Sequence, residues 1–518
     1  MIYNLHPTIQ EISKKQIKLN SLSLRILVIN NFNAVLITPY LNYFLQFSFM
    51  TAAVDYVDIN NNSIDSDNLD RYDYVIVWIS TCCTELLDMS CYVDLIKKIS
   101  LLYMKEMIIL DAPIRNNRNP MEEALSADGR NRFSFISAAQ LYDRFGVNRL
   151  KDPDFYRRWD MPYSDLGYRE HSNLIASFII GHRNERKKCV VLDCDNVLWN
   201  GILDEEGIEK IDVTPICLSL QKALKQLKEE GVLLAICSKN DLHRVEGVFK
   251  YKSGMVLHLE DFASIQVGWG NKDKGIECIS EELNISLSST TFVDDSISEI
   301  NWINRKFPEI TCILFDKPTI ENADFRYISF FNILHITQED RTRTNAIHAS
   351  KSDRALKSSG ISYGEYLKTL EREIVIQTAK IEHIDRIHQL IHRTNQFNIN
   401  CIRYSKSDIT GFVLNNNTQV DIVKYRDKLF DYGIVGTVIV TTDNLKHTIK
   451  SFLLSCKVLG RDVETDLLAY YKKEFQNKGI NQVCVNLKKL SKNIMAYSFF
   501  TSLNLISDSS GDHWLTLC

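Results

Sequence analysis

The chain has 518 residues, 45% of them hydrophobic and 24% charged, with a formal net charge of −4. That balance belongs to a globular protein with real cores, of roughly three or four domains by length. It argues against a nucleic-acid-coated surface, and with no apolar stretch of about 18 uncharged residues no membrane span is expected. The N-terminus shows no basic segment followed by a long apolar run. The 13 cysteines are scattered, and Cys82-Cys83 is adjacent, which is poor zinc geometry. A cytoplasmic, reduced protein is expected rather than a disulfide framework.

In chain order, Leu24 to Ile29 reads as a buried strand and Leu36 to Met50 as a helix. Tyr74 to Ile79 and Met107 to Leu110 are further strands, with loops at Asn60 to Asn62 and Asn116 to Pro120. Strands spaced by helical patterns imply a parallel sheet. The charged stretch Arg183 to Lys188 connects into a second such section. Its predicted strands are Cys189 to Leu192, Val232 to Cys237, Met255 to Leu257, Thr291 to Val293 and Ile310 to Phe315. Leu218 to Glu230 is an amphipathic helix closed by Gly231, and Ile276 to Leu283 a second helix. Gln338 to Leu370 is polar and helix-like. From Glu373 the pattern turns to α+β, with strands at Ile374 to Ala379, Ile434 to Thr441 and Thr448 to Cys456. Helices are expected at Ile384 to Arg393 and Thr465 to Phe475.

The expected fold class is multi-domain α/β. A central, doubly wound parallel-sheet domain (186–335) has no large cap. An α/β domain (1–180) precedes it; a helical connector (336–372) and an α+β domain (373–518) follow.

Chemistry-bearing residues gather at the strand ends of the central section. Asp193 and Asp195 follow the first strand with Cys194 between them, Ser238-Lys239-Asn240 follows the second, and Asp294-Asp295 follows a later one. Lys272 lies before the helix Ile276 to Leu283. Buried strands carry carboxylates only for a reason, because an isolated buried charge is costly. If these strands are neighbours, three or four carboxylates converge and can hold magnesium through oxygen. A hydroxyl and an ammonium can grip phosphate oxygens.

This ordered set resembles the haloacid dehalogenase superfamily. The resemblance implies that Asp193 is the nucleophile and that Asp195 is the general acid and base. It gives phosphate binding to Ser238 and Lys272, with Lys239 beside them and Lys274 competing with Lys272. It implies a Mg2+ site from Asp193, Asp195 (there through a main-chain carbonyl), Asp294 and Asp295. In detail the chain resembles the FkbH-like branch (subfamily IIIC). The matching text includes Leu198-Trp199, Leu234 to Asp241, Asp261-Phe262, Glu339-Asp340-Arg341, Thr394 to Asn398, Gly433 to Gly436 and Ser455 to Arg461. Val197, Asn200 and Asp462 depart from that branch's usual threonine, glycine and glycine.

The branch implies dephosphorylation of 1,3-bisphosphoglycerate coupled to transfer of its glyceryl group. The acceptor is the phosphopantetheine thiol of an acyl carrier protein, in polyketide or related biosynthesis. No nucleic acid or membrane partner is expected. The short spacing between motifs leaves no room for a large cap, so a shallow, open site is expected. Cys194 is either an acyl acceptor or a small residue filling space under the loop. The N-terminal section resembles an SGNH-hydrolase fold, with Asn30 and Asn31 where the serine would stand, so no hydrolysis is expected there. The C-terminal section resembles a GNAT-type acyltransferase, and Asp462 opposes phosphate at the helix start. Thr394 to Asn398 reads as an exposed turn. The competing functions are a plain magnesium-dependent phosphatase and a non-catalytic assembly module.

Overall fold

The computed structural model describes residues 2–4, 7–14, 22–59, 66–79, 89–103, 105, 107–111, 133–183, 185–316, 325–331, 336, 341–349, 363–443, 446–490, 493–503, 505–507 and 513–517. Two compact units are found: Met1–Leu227 with Leu234–Leu334, and Lys228–Leu233 with His335–Cys518. The expected loops at 60–62 and 116–120 lie outside the described residues, as does Cys82-Cys83.

The first unit contains two sheets. The strands, in chain order, are β1 (Ile2–Tyr3), β2 (Leu22–Asn30), β3 (Met50–Asp58), β4 (Tyr74–Trp78), β5 (Met107–Asp111) and β6 (Phe133–Ser137). They continue with β7 (Cys189–Leu192), β8 (Leu233–Ser238), β9 (Phe262–Val267), β10 (Thr290–Asp294) and β11 (Thr311–Leu314). One sheet has the order β3-β2-β4-β5-β6, all parallel. The other has the order β1-β11-β10-β7-β8-β9, so the first residues of the chain add an edge strand beside β11. β7 is Cys-Val-Val-Leu, buried throughout, as expected of a strand covered on both faces. Successive strands are added on opposite sides of β7, which makes its carboxyl end a topological switch point where open α/β sheets bind ligands.

Local chemistry sets the element ends. Asp241 accepts from the Arg244 amide and Ser296 from the Glu299 amide, each capping a helix that leaves a site strand. Gly231 has φ +89°, the left-handed turn that ends the helix Pro215–Glu229.

In this unit three expectations are corrected. The apolar run 36–50 is not one helix. It is the helix Ile37–Leu45 and a short 3-10 turn, after which left-handed Phe49 turns the chain into β3. Met255 to Leu257 is buried or half-buried but not a strand. The Val256 and Leu257 amides donate to the Gln221 side chain, at 2.8 and 3.2 Å, instead of to a ladder. The strand is β9, five residues later. Lys272 does not precede its helix; it opens it, the helix being Lys272–Leu283.

The second unit is built on one sheet. Its strands are β12 (Glu373–Thr378), β13 (Thr418–Arg426), β14 (Asp431–Asp443), β15 (Lys446–Leu454), β16 (Gln482–Val485), β17 (Ile506–Ser507) and β18 (His513–Thr516). The order is β12-β13-β14-β15-β16-β18-β17, antiparallel except for the β15/β16 pair. That pair holds only at Thr448–Cys484 and Ile449–Val485. Beyond it, the chain's own segment takes over: Leu454 N donates to Phe397 O and Ile399 N to Phe452 O. The expected exposed turn is therefore corrected. Asn395 and Gln396 are exposed, whereas Thr394, Phe397 and Asn398 are buried. Arg461 is also buried, paired with Asp427 at 3.1 Å and bonded to the Tyr432 hydroxyl. Asp462 precedes the helix Val463–Asn477 with φ +61° and no capping bond, and Glu464 and Asp466 lie in the first turn. Three carboxylates already face the positive end of that helix dipole.

Candidate active site

The parallel pairing of β7 with β10 sets Asp193 beside the end of β10, and Asp193 N bonds Val293 O at 3.0 Å. One carboxylate oxygen from each of Asp193, Asp294 and Asp295 falls within a sphere of 4.8 Å mutual separation. Lys272, at the first turn of its helix, reaches the same point. Its ammonium is 3.1 Å from Asp193 Oδ1 and 2.6 Å from Asp294 Oδ2. Asp193, Ser238, Lys272 and Asp294 are all buried.

Burial alone would lower the Lys272 pKa, but the Asp193 and Asp294 charges outweigh it and hold the ammonium protonated. Burial, then the Asp193 charge, raises Asp294, and Lys272 works against both. Asp295 is raised by the same two causes, with a hydrogen bond from Asn196 opposing. Three carboxylates against one ammonium leave the cluster negative. An all-oxygen donor set of that charge suits a hard divalent cation such as Mg2+.

Asp195 does not join the cluster through its side chain. Its Oδ1 accepts from Trp199 Nε1 at 2.9 Å and from the Leu203 amide at 3.2 Å, and its Oδ2 accepts from Asn240 Nδ2 at 3.1 Å. Burial nevertheless raises its pKa, and the Asp193 charge adds to this, against those three donors. A carboxyl so held is oriented and biased toward keeping a proton, which suits a general acid and base. The loop that brings it there turns at Asn196, a non-glycine at φ +55° whose Oδ1 accepts from the Gly201 amide.

The other expected residues fall as follows. Ser238 ends β8, and its Oγ accepts from Asn240 Nδ2 at 3.0 Å. Lys239 is half-exposed and pairs with Glu299 at 2.6 Å, so its charge is spent at the mouth rather than on the cluster. Lys274 pairs with Glu277 on the exposed side of the helix, which leaves Lys272 as the buried lysine. Cys194 is fully buried. Burial and then the Asp193 charge push its thiol well above the usual range, although the Ser238 hydroxyl bonds it. Both causes favour the neutral thiol over the thiolate that acts as a nucleophile.

Four supporting residues had no assigned role from sequence: Trp199, Asn240, Gln221 and Glu299. Asn240 is buried, and among the described residues its Oδ1 accepts no hydrogen bond. Gln221 is buried on the apolar face of its helix. It donates to Leu198 O and accepts from Val256 and Leu257, tying the Asp195 loop to the segment before β9. A glutamine among Cys217, Leu220, Leu224 and Leu227 was a readable signal, because a buried polar group must find partners.

No family model matches the chain, and no curated protein does. Among solved structures it is similar to the N-terminal part of protein BF1531 from Bacteroides fragilis, containing a phosphatase domain complexed with Mg. Identity is 20%, 64% of this chain and 99% of that chain are covered, and the TM-score is 0.50. This likeness shows the fold. Shorter alignments are found with ribosomal-protein-S18-alanine N-acetyltransferase from Escherichia coli, at 10% identity, 28% and 94% coverage and TM-score 0.23. A GNAT-family acetyltransferase from Staphylococcus aureus aligns at 14% identity, 28% and 100% coverage and TM-score 0.23.

Proposed function

We propose that the first unit is a magnesium-dependent phosphohydrolase of the haloacid dehalogenase type, with Asp193 as nucleophile. The observation that carries the reading is the buried cluster of Asp193, Lys272, Asp294 and Asp295 at the end of β7. An Asp193 oxygen attacks phosphorus while the bond to the leaving oxygen breaks. Asp195 supplies that oxygen with a proton. Water then attacks the aspartyl phosphate, Asp195 takes its proton, and phosphate leaves with Asp193 restored. Lys272 holds phosphate oxygens throughout. Asp193, Asp294 and Asp295 would hold magnesium, which would supply the positive charge that lets a carboxylate approach an anion.

The finer reading is glyceryl loading of an acyl carrier protein from 1,3-bisphosphoglycerate, supported by the motif resemblance from 190 to 505. A glyceryl thioester carries no phosphate, so both phosphates must leave. The carrier's thiol attacks the acyl carbon; the carbon–oxygen bond to phosphate breaks, and the thiol proton leaves with phosphate or solvent. The remaining ester is hydrolysed through Asp193. The burial of Cys194 supports direct acceptance by the carrier's thiol, with no acyl group resting on the enzyme.

The test is the intact mass of a candidate carrier protein after incubation with 1,3-bisphosphoglycerate and Mg2+. Wild type and Cys194→Ala should both add a glyceryl unit; Asp193→Asn should leave phosphate on the product or load nothing. Phosphate release without any mass gain on carriers would reduce the reading to a plain phosphatase. Full activity of Asp193→Asn would remove the phosphohydrolase reading as well.

A further inference from the structure

Lys239 follows Ser238 at the end of β8, the strand beside β7. Glu299 stands in the first turn of the helix Ile297–Lys306, which leaves β10 on the other side of β7. Neighbouring strands lie about 4.8 Å apart, so the two residues start from positions flanking the strand that ends at Asp193. Their side chains meet at 2.6 Å. Glu299 also shares a neighbour with the buried cluster. Burial raises the Cys237 thiol, and the charges of Lys272, Asp193, Asp294 and Glu299 all act on it.

An ammonium carries three N–H donors. Glu299 Oε1 takes one from Lys239, and no other acceptor for it is found among the described residues. The neighbouring cations are more fully engaged. Lys272 is held by Asp193 and Asp294, Arg244 donates to both the main-chain and a side-chain oxygen of Asp204, and Lys306 pairs with Asp273 and Glu277. Charge balance says what the spare Lys239 donors would meet. The three carboxylates, Lys272 and one divalent cation sum to zero, so the reacting phosphate itself makes the site negative. A further anion on the substrate is repelled unless a cation outside the cluster receives it. Lys239 is placed to do so, one residue past Ser238. A half-exposed ion pair adds little to stability, so an anion can share Lys239 with Glu299, or displace Glu299, at small cost.

We infer that Lys239 anchors a second anionic group of the substrate, a carboxylate or a second phosphate on the leaving group, and that Glu299 competes with that group for the ammonium. The substrate class is then an organic phosphate whose leaving group is itself an anion, and Glu299 sets how strongly that class is preferred. This rests on the phosphohydrolase reading above and not on the carrier-loading one.

The experiment uses the full chain with Mg2+ and p-nitrophenyl phosphate as the reporter substrate. Three competing ligands are compared. Glycerol 3-phosphate has a hydroxymethyl group where 3-phosphoglycerate has a carboxylate and glycerol 1,3-bisphosphate a second phosphate ester. The readout is the ratio of apparent inhibition constants, doubly anionic ligand against glycerol 3-phosphate, within each protein, so a general loss of activity cancels. Lys239→Met should lower the preference for a doubly anionic ligand about tenfold, as when a hydrogen bond between charged groups is lost. Glu299→Gln, which keeps the side chain's shape, should raise it about threefold or more. A Lys239→Met effect confined to one ligand identifies the anion as carboxylate or phosphate. An unchanged preference for both ligands in Lys239→Met overturns the anchor. An unchanged or lowered preference in Glu299→Gln overturns the competition. Either result, with p-nitrophenyl phosphate hydrolysed by wild type, leaves the phosphohydrolase reading standing. No Mg2+-dependent hydrolysis by wild type overturns that reading and the anchor together.

Discussion

Replacing Lys272 by methionine removes the ammonium that faces three carboxylates. In the folded protein it lies 3.1 Å from Asp193 Oδ1 and 2.6 Å from Asp294 Oδ2. At an effective dielectric of about 20, each contact is worth roughly 5–6 kcal/mol of Coulomb energy before desolvation is subtracted. The carboxylates, within 4.8 Å of one another, repel by roughly 3–4 kcal/mol per pair on the same scale. Protonation of Asp294, already raised by burial and by Asp193, absorbs most of the imbalance. The expected net loss is about 3–5 kcal/mol, the cost of breaking one side of a buried ion pair. A divalent cation supplies the missing charge, so excess Mg2+ should restore most of that loss. Mg2+ should also bind the variant more tightly, since it no longer meets an ammonium, while phosphate release falls about 100-fold or more. A chain of two units does not unfold in one step, so the assay is local: amide hydrogen exchange of β7 and β10, in EDTA and in excess Mg2+. Equal protection in wild type and variant, or a loss that Mg2+ leaves unchanged, refutes the charge-balance argument.

Two further outcomes are expected. Trp199→Phe removes the indole donor to Asp195 Oδ1 and should lower kcat about tenfold with KM unchanged, because the bond orients the group proposed for proton transfer; an unchanged kcat removes that positioning role. His171, stacked on Trp78 at 4.8 Å, is held by burial down to about 4, whereas an unfolded chain's histidine titrates near about 6.5. Its folded pKa is depressed, so its contribution is complete above about pH 6.5 and is lost as pH falls toward 4, by about 3 kcal/mol in all. Amide hydrogen exchange of the helix Asp165–His182, corrected for intrinsic rates across this pH range, should show that His171→Phe flattens the slope, and parallel slopes would refute it.

Much of the site was legible because it is local in the chain. An apolar run that ends in Asp193, or in Asp294-Asp295, is a strand and its terminus within a few residues. The elements misread were those where tertiary bonds replaced local ones. Met255 to Leu257 has strand-like residues, but the Val256 and Leu257 amides go to a glutamine 35 and 36 positions away. The 36–50 run hid a turn because both flanks are apolar and only the left-handed Phe49 marks it. Thr394 to Asn398 looks polar and exposed, yet Phe397 and Asn398 are buried where the segment runs beside β15.

By itself the sequence determined the alternating strands and helices, the acids at the strand ends and the lack of an inserted cap, since each depends on residues close together in the chain. Only the tertiary structure decided which of four carboxylates share one point, that Lys272 rather than Lys239 meets them, and that Cys194 is sealed beneath the loop. Convergence depends on which strands are neighbours and on where side-chain hydrogen bonds end, and those are long-range facts that residue spacing does not encode.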